Sequence, residues 1–356
     1  MAVLVTGGAG YIGSHMVLNL ADAGEKVVVL DNLVTGFDWA IDGRATFEGG
    51  NAGDIDLVHR LIDKHGITEI VHFAGSIVVP ESVTDPLKYY GNNTATSRNL
   101  IEAAIKGGVK HFIFSSTAAV YGMTGLAPVV ETTPLNPMSP YGRSKLMTEW
   151  MLADVAAAHP ITYGVLRYFN VAGGDPGMRS GQSTPHASHL IKVACQTALG
   201  QRPQMDIFGT DFETPDGTGV RDYIHVTDLI AAHALLLKHL RGGGDSTTIN
   251  CAYGQGYSVR QVVEAVRQVS GVSFRVNEGP RRPGDPASVT ATGQKARQLL
   301  GQVSDFLAGQ SGRKQGALAV AVRFDLGAQF ADLRLQRGFV LRLALAEQVG
   351  QSGVNG

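Results

Sequence analysis

The sequence predicts an α/β protein: a Rossmann-type, doubly wound parallel sheet followed by a smaller C-terminal α/β domain. Three observations carry the prediction. Short apolar runs rich in β-branched residues alternate with amphipathic helical patterns over the first half of the chain. A glycine-rich turn joins the first strand pattern to the first helix pattern. Beyond about residue 170 the alternation gives way to Gly- and Pro-containing loops with shorter helices.

Residues 3–6, 27–31, 69–73, 111–115 and 164–168 read as strands, because each is a short run dominated by Val, Ile, Leu or Phe. Residues 11–23, 55–64, 94–105 and 141–157 read as helices from their apolar periodicity. In the second part, helices are expected near 187–199, 226–238 and 259–269. The expected division is 1–170 for a nucleotide-binding domain and 171–300 mainly for substrate. The stretch 301–356 is left unassigned: it is rich in Gly, Gln, Ala and Leu and contains no Pro, Trp, Tyr, Cys, His or Met.

With 356 residues, 44% hydrophobic and 17% charged, the chain is long enough to bury a large core. Its formal net charge of −1 gives no basic field to hold a phosphate backbone, so nucleic acid is not an expected partner. Cys195 and Cys251 are far apart and lack metal-ligand spacing, so two buried free thiols and no metal site are expected. No leader pattern and no run of about 20 apolar residues is present, which points to the cytoplasm and away from a membrane.

The turn reads Gly7-Gly8-Ala9-Gly10-Tyr11-Ile12-Gly13. Glycine permits positive φ and close backbone approach, and the following helix N-terminus offers free N–H groups to a pyrophosphate. Asp31 ends the second strand about twenty residues later, where a carboxylate can accept from adenosine ribose hydroxyls and favours NAD over NADP. The plainer reading of Asp31 is an acid opening a turn before Asn32. Asp54 and Ile55 can bracket the adenine, or Asp54 can simply cap the next helix.

Tyr141 and Lys145 lie four residues apart in SPYGRSK, so a helix puts both on one face. A phenol with a pKa of about 10 becomes a base when a cation stabilises the phenolate. The same spacing also occurs on ordinary solvated helix faces.

Together, TGGAGYIG, Asp31-Asn32, HFAG at 72–75, SSTAAVYG at 115–122, YGRSK at 141–145 and RYFN at 167–170 resemble the extended short-chain dehydrogenase/reductase family. Within it the chain is most similar to the UDP-glucose 4-epimerase family, from Met1 to about Leu300. The resemblance implies NAD held by Gly7, Gly10, Tyr11, Ile12, Gly13, Asp31, Asn32, Asp54, Ile55, Phe73, Ala74, Gly75, Asn92 and Lys145, with Phe169 beside the nicotinamide. It places Thr117 where the family carries its catalytic Ser or Thr, next to Tyr141 and Lys145, and lets Thr117 and Tyr141 touch both cofactor and sugar. It sets the UDP moiety against Asn170, Leu190, Phe208, Arg221, Tyr223, Arg282 and Asp285.

The implied activity interconverts UDP-glucose and UDP-galactose through a 4-keto sugar, with transient hydride transfer to bound NAD. The alternatives are 4-epimerisation of another UDP-sugar (N-acetylhexosamine, uronate or pentose) or an inactive NAD-binding relative. A related dehydratase would require Asp-Glu after the Thr, and here Ala118 and Ala119 cannot move a proton. Val289 stands where many such epimerases carry a bulkier Tyr; it either admits an N-acetyl group or only fills core. The resemblance also implies a homodimer through the helices at 94–105 and 141–157.

Two departures stand out. Ser76-Ile77-Val78-Val79 replaces a segment that usually brings a Lys to NAD. After residue 300 the expected Trp-Pro ending is missing, which suggests a reading-frame change near 301; translation of the other two frames tests it.

Overall fold

The computed structural model describes residues 1–184, 188–282, 285–300 and 322. Strand β1 (Ala2–Thr6) buries all five residues, as a parallel strand covered on both faces must. It passes through the glycine turn into α1 (Tyr11–Asp22). Strand β2 (Val27–Asp31) pairs parallel with β1, and β3 (Thr46–Gly49) pairs with β2. Helix α2 (Ile55–His65) starts at Asp54, whose side chain accepts from the Leu57 N–H, and stops at Gly66 with φ 63°. Strand β4 (Ile67–His72) follows, then the short helices α3 (Val79–Thr84) and α4 (Pro86–Tyr89). A wide π-helical turn, Tyr90–Ala95, leads into α5 (Thr96–Lys106). After β5 (His111–Ser115), α6 (Pro140–Ala158) begins with Ser139 accepting from the Gly142 N–H and Pro140 in the first turn. Strand β6 (Thr162–Tyr168) closes this half.

Beyond it come β7 (Asn170–Ala172), α7 (Leu190–Ala198), β8 (Met205–Phe208) and β9 (Val220–His225). Helix α8 (Val226–Arg241), β10 (Thr247–Cys251), β11 (Gly256–Ser258) and α9 (Val259–Ser270) follow. Strands β12 (Val276–Gly279) and β13 (Ser288–Val289) and helix α10 (Gln294–Leu300) come last.

The main sheet has seven strands in the order β10-β6-β5-β4-β1-β2-β3. All of its pairings are parallel. The sequence reading omitted its two edge strands. Thr46–Gly49 is polar and mostly exposed, and Thr247–Cys251 is a short mixed run, so neither carries the apolar signature of a buried strand. Where 94–105 was expected as helix, the π turn delays the regular helix to Thr96.

One face of the sheet packs on α1 and α8 through Val3, Val5, Met16, Val17, Leu229, Leu236 and Ile249. The other face packs on α2, α5 and α6 through Leu4, Val28, Val58, Leu100, Phe112 and Leu152. The first core also takes Ala296 and Leu300 from α10. Residues 226–251 and 294–300 therefore return to the first layer, and the two parts of the protein are interleaved along the chain. A third core joins α7 and α9 to β8 and β9 through Ile191, Cys195, Ile207, Tyr223 and Val262, with Val322 buried against it. Apart from Val322, the unassigned stretch 301–356 lies outside the described residues.

Candidate active site

The glycine turn is closed by backbone contacts that admit no side chain. A Cβ on Gly7, whose φ is +72°, would stand 2.6 Å from the Ala74 nitrogen, and a Cβ on Gly13 would stand 2.1 Å from the Gly7 carbonyl oxygen. The turn therefore rests on residues 73–75 at the C-terminal end of β4, and the backbone at the start of α1 is open to close approach. Gly10 precedes the first helical residue and supplies no side-chain cap.

Asp31 turns its carboxylate into the same corner. It accepts from the Ala9 N–H at 3.0 Å and the Leu33 N–H at 2.8 Å, leaving lone pairs on both oxygens. Asn32 is exposed and accepts from Val34. The Tyr11 hydroxyl donates to the Gly173 carbonyl at 2.6 Å, tying the turn to the loop after β7, while Ile12 packs on the first core. Asp54 is engaged as the cap of α2, and Ile55 packs on the second core.

Tyr141 and Lys145 share the face of α6 that meets the end of β5. Lys145 is buried and donates to the Ser115 carbonyl at 3.0 Å, with the Phe114 ring centroid 4.9 Å from its ammonium. The same ammonium lies 3.7 Å from where a Cβ on Gly75 would stand. Gly7, Ala74, Gly75, Ser115 and Lys145 thus form one continuous floor. Thr117 is buried, hydrogen-bonds the Tyr141 hydroxyl, and accepts from the Ala119 N–H at 3.2 Å. Ala118 and Ala119 follow it in a single 3-10 turn.

The expectation that Lys145 lowers the Tyr141 phenol is not met in this structure. Loss of solvation pushes the phenol up, and the Thr117 hydrogen bond only opposes this. Lys145 is itself pushed down to about 8 by burial, with the charge of Glu149 working the other way. The hydrogen bond to Ser115 and the Phe114 face are where its ammonium is directed. Around this pair, Phe73 packs on His233 with ring centroids 5.0 Å apart, and Phe169 packs with Val120, Tyr121 and Leu146.

The residues expected on the substrate side form two adjoining groups. Asn170 of β7 pairs in register with Tyr223 of β9, and both line a cleft with Leu190 and Lys192 from the first turn of α7. Arg221 lies two residues before Tyr223 and so faces the same side of β9. Its guanidinium is pushed down by burial, opposed by the charges of Asp285 and Tyr223 and assisted by Arg282. Arg282 pairs with Asp285 at 2.7 Å and lies over the Phe208 ring at 5.2 Å. Val289 is half-buried on β13, in register with Arg221.

Two parts of the site were missed in the sequence. Asn92, expected at the cofactor, donates to the Ser76 hydroxyl at the surface. Its neighbour Asn93 is buried and binds both the N–H and the carbonyl of Ser76 as well as the Ser144 hydroxyl, fixing the segment after β4 to α6. The second is the buried ion pair of Glu149 and Arg167, 2.5 Å apart at closest. Its signal was available: Glu149 continues the four-residue spacing of Tyr141 and Lys145.

Among the described residues no group of three or more His, Cys, Asp or Glu side chains gathers to hold a metal ion. Among them, too, no helix is long and apolar enough to cross a membrane.

Comparison with known proteins agrees with this geometry. The family model for the NAD dependent epimerase/dehydratase family matches residues 3–252. A UDP-glucose 4-epimerase of Azospirillum brasilense is 53% identical over 85% of this chain and 86% of its own length. The UDP-glucose 4-epimerase of Brucella ovis, solved in complex with NAD, superposes with a TM-score of 0.83 at 38% identity, covering 91% of this chain and 96% of that one. The UDP-Glc/GlcNAc 4-epimerase of Campylobacter jejuni gives 0.77 at 43% identity, covering 92% and 99%. With the glycine turn, the Thr117, Tyr141 and Lys145 cluster and the matched length in agreement, the chain belongs to the NAD dependent epimerase/dehydratase family.

Proposed function

We propose that this protein is an NAD-dependent UDP-sugar 4-epimerase that interconverts UDP-glucose and UDP-galactose. The observation that carries the reading is the convergence of Thr117, Tyr141 and Lys145 on the floor formed by Gly7, Ala74 and Gly75. That floor fits a dinucleotide, since backbone packs on backbone at Gly7 and Gly13 and the glycine turn runs straight into the start of α1 with no side-chain cap. Gly7, Gly10, Tyr11, Ile12 and Gly13 would hold the pyrophosphate, Asp31 and Asn32 the adenosine ribose, and Asp54 and Ile55 the adenine side. Phe73, Ala74, Gly75, Asn92, Lys145 and Phe169 would surround the nicotinamide end. Bound NAD supplies a reversible hydride acceptor for C4 of the sugar and, in its oxidised form, a positive charge that helps a phenolate form.

The protein's own part is to move a proton and to hold the sugar. Tyr141 as phenolate takes the proton of the 4-hydroxyl and later returns one, which relates the alcohol to the 4-keto sugar in both directions. Thr117 hydrogen-bonds Tyr141 and can donate to the same sugar oxygen. Lys145 supplies the neighbouring cation. Arg221 and Arg282 suit a diphosphate, Asp285 a ribose hydroxyl, Phe208 a stacked base, and Asn170, Leu190 and Tyr223 the walls between. Ala118 and Ala119 bring no acid or base that could expel water from a keto sugar.

Incubating the protein with UDP-galactose, without added NAD, should yield UDP-glucose. Tyr141→Phe should lower the rate by at least about 10³-fold while NAD stays bound, and an unchanged rate defeats the assignment. A homodimer is the proposed assembly, with Trp150 of α6 55% exposed on a face that a second copy would cover. The cytoplasm is the proposed compartment, in keeping with the buried thiol of Cys251.

A further inference from the structure

Tyr141, Lys145 and Glu149 form one stripe on α6, a residue per turn, and the stripe meets three consecutive residues, the last of β5 and the two after it. Lys145 donates to the Ser115 carbonyl at 3.0 Å, the Ser116 hydroxyl donates to Glu149 Oε1, and Thr117 hydrogen-bonds Tyr141. Glu149 thus holds the middle residue of a run whose neighbours touch both groups that set the base. Arg167 of β6 grips the carboxylate from the other side, with Nε 3.1 Å from each oxygen and Nη2 at 2.5 Å from Oε2. Its remaining donor reaches the Tyr121 hydroxyl at 3.1 Å and the Glu131 carbonyl at 3.4 Å. Both charged side chains are 6% exposed.

We propose that Glu149, held in place by Arg167, is a positioning residue of the proton-transfer site: it fixes Ser116 under Thr117 and sets a negative charge one turn along α6 from Lys145. This rests on the epimerase reading given above. The surroundings of Lys145 leave this task to Glu149. From β4 it is faced by His72, which burial and the Lys145 charge hold at about 3 and therefore neutral. Arg167 of β6 is taken up by Glu149, while Tyr168 of β6 and Tyr89 of α4 lie by Tyr141, the Tyr89 hydroxyl bonded to Glu81 of α3, itself paired with Lys88 at the surface. Tyr121 follows the 3-10 turn, and the π turn and α5 contribute the uncharged Asn93 and Ser97. Burial pulls Lys145 down to about 8, and Glu149 is the charge that opposes it. With no anion nearby, the ammonium would lose its proton within the working pH range, and the floor it forms with Ser115 and Gly75 would lose its charge.

A buried ion pair contributes little net stability, and a neutral pair of similar volume replaces it with little cost to the fold. The test is therefore the double variant E149Q/R167M, which leaves no uncompensated member of the pair, compared with E149D, which keeps the negative charge. The readout is the pH dependence of kcat/KM for UDP-galactose, whose alkaline limb reports loss of the Lys145 proton. In E149Q/R167M that limb moves to lower pH by about half a unit or more, the lost Arg167 cation offsetting part of the lost Glu149 charge, and in E149D it stays where the wild-type protein has it. A double variant that loses rate or melting temperature with its limb unmoved, or that cannot fold at all, shows the pair to be structural and overturns the inference. An E149D limb displaced as far as that of the double variant overturns it as well. Wild-type protein without turnover at any pH overturns the epimerase reading and this inference with it, whereas wild-type turnover with unmoved limbs overturns the inference alone.

Discussion

At position 289 the side chain ends early: Val289 is half-buried on β13 and in register with Arg221, which the proposed function places at the diphosphate. On that reading, a small residue there would leave room for a group on the sugar. The protein should therefore also turn over UDP-N-acetylgalactosamine, and Val289→Tyr should lower kcat/KM for it at least about tenfold while UDP-galactose turnover changes little. Equal losses on both substrates, or no N-acetyl turnover by the wild type, would assign Val289 to packing. Single residues were also where sequence reasoning was least secure. Asp54 offered two roles, and the structure engages its carboxylate on the Leu57 N–H as a helix cap, while Asn93 rather than Asn92 is the buried tie to α6. The cap is a local contact three residues long, whereas the Asn93 tie depends on Ser144, which only the fold brings there.

The strand, turn and helix made by β1, the glycines and α1 is the element most legible in the sequence. Its information is local: a fully apolar strand, glycines at fixed spacing and a helix that starts without a side-chain cap. Gly13→Ala tests that logic, since the added methyl would lie 2.1 Å from the Gly7 carbonyl oxygen and force α1 away from the turn. Denaturant titration should show a loss of about 1–3 kcal/mol. Isothermal titration after removal of cofactor should show NAD binding weakened more than tenfold, and unchanged affinity would separate the turn from the cofactor. The stripe on α6 was half-read, because Tyr141 and Lys145 have reactive ends and Glu149 looked like an ordinary helical acid. Strands β3 and β10 were not read at all. Their pairing is dictated by β2 and β6, and their own residues carry little of the pattern.

Over the whole molecule, buried histidines set the response to acid. Burial holds His15, His225 and His233 at about 4 and His72 at about 3, all below the unfolded value of 6.5. The unfolded chain therefore takes up protons first. The stability these groups contribute is complete above about pH 6.5 and is lost as pH falls toward 4, each costing roughly 1.4 kcal/mol per pH unit in between. Melting temperature should be flat between pH 7 and 8 and fall steeply below about 6, and a flat profile down to pH 5 would show that these rings are hydrated. The interleaving of the two parts has a further consequence, for synthesis at the ribosome. The edge beside β6 is completed by β10, and one face of the sheet waits for α8 and α10. When the chain has emerged only as far as Tyr168, that sheet still presents an unpaired edge and an uncovered apolar face. The nascent chain must keep the edge from neighbouring polypeptides until about eighty more residues have been translated, and the part of the face under α10 until about 130 have.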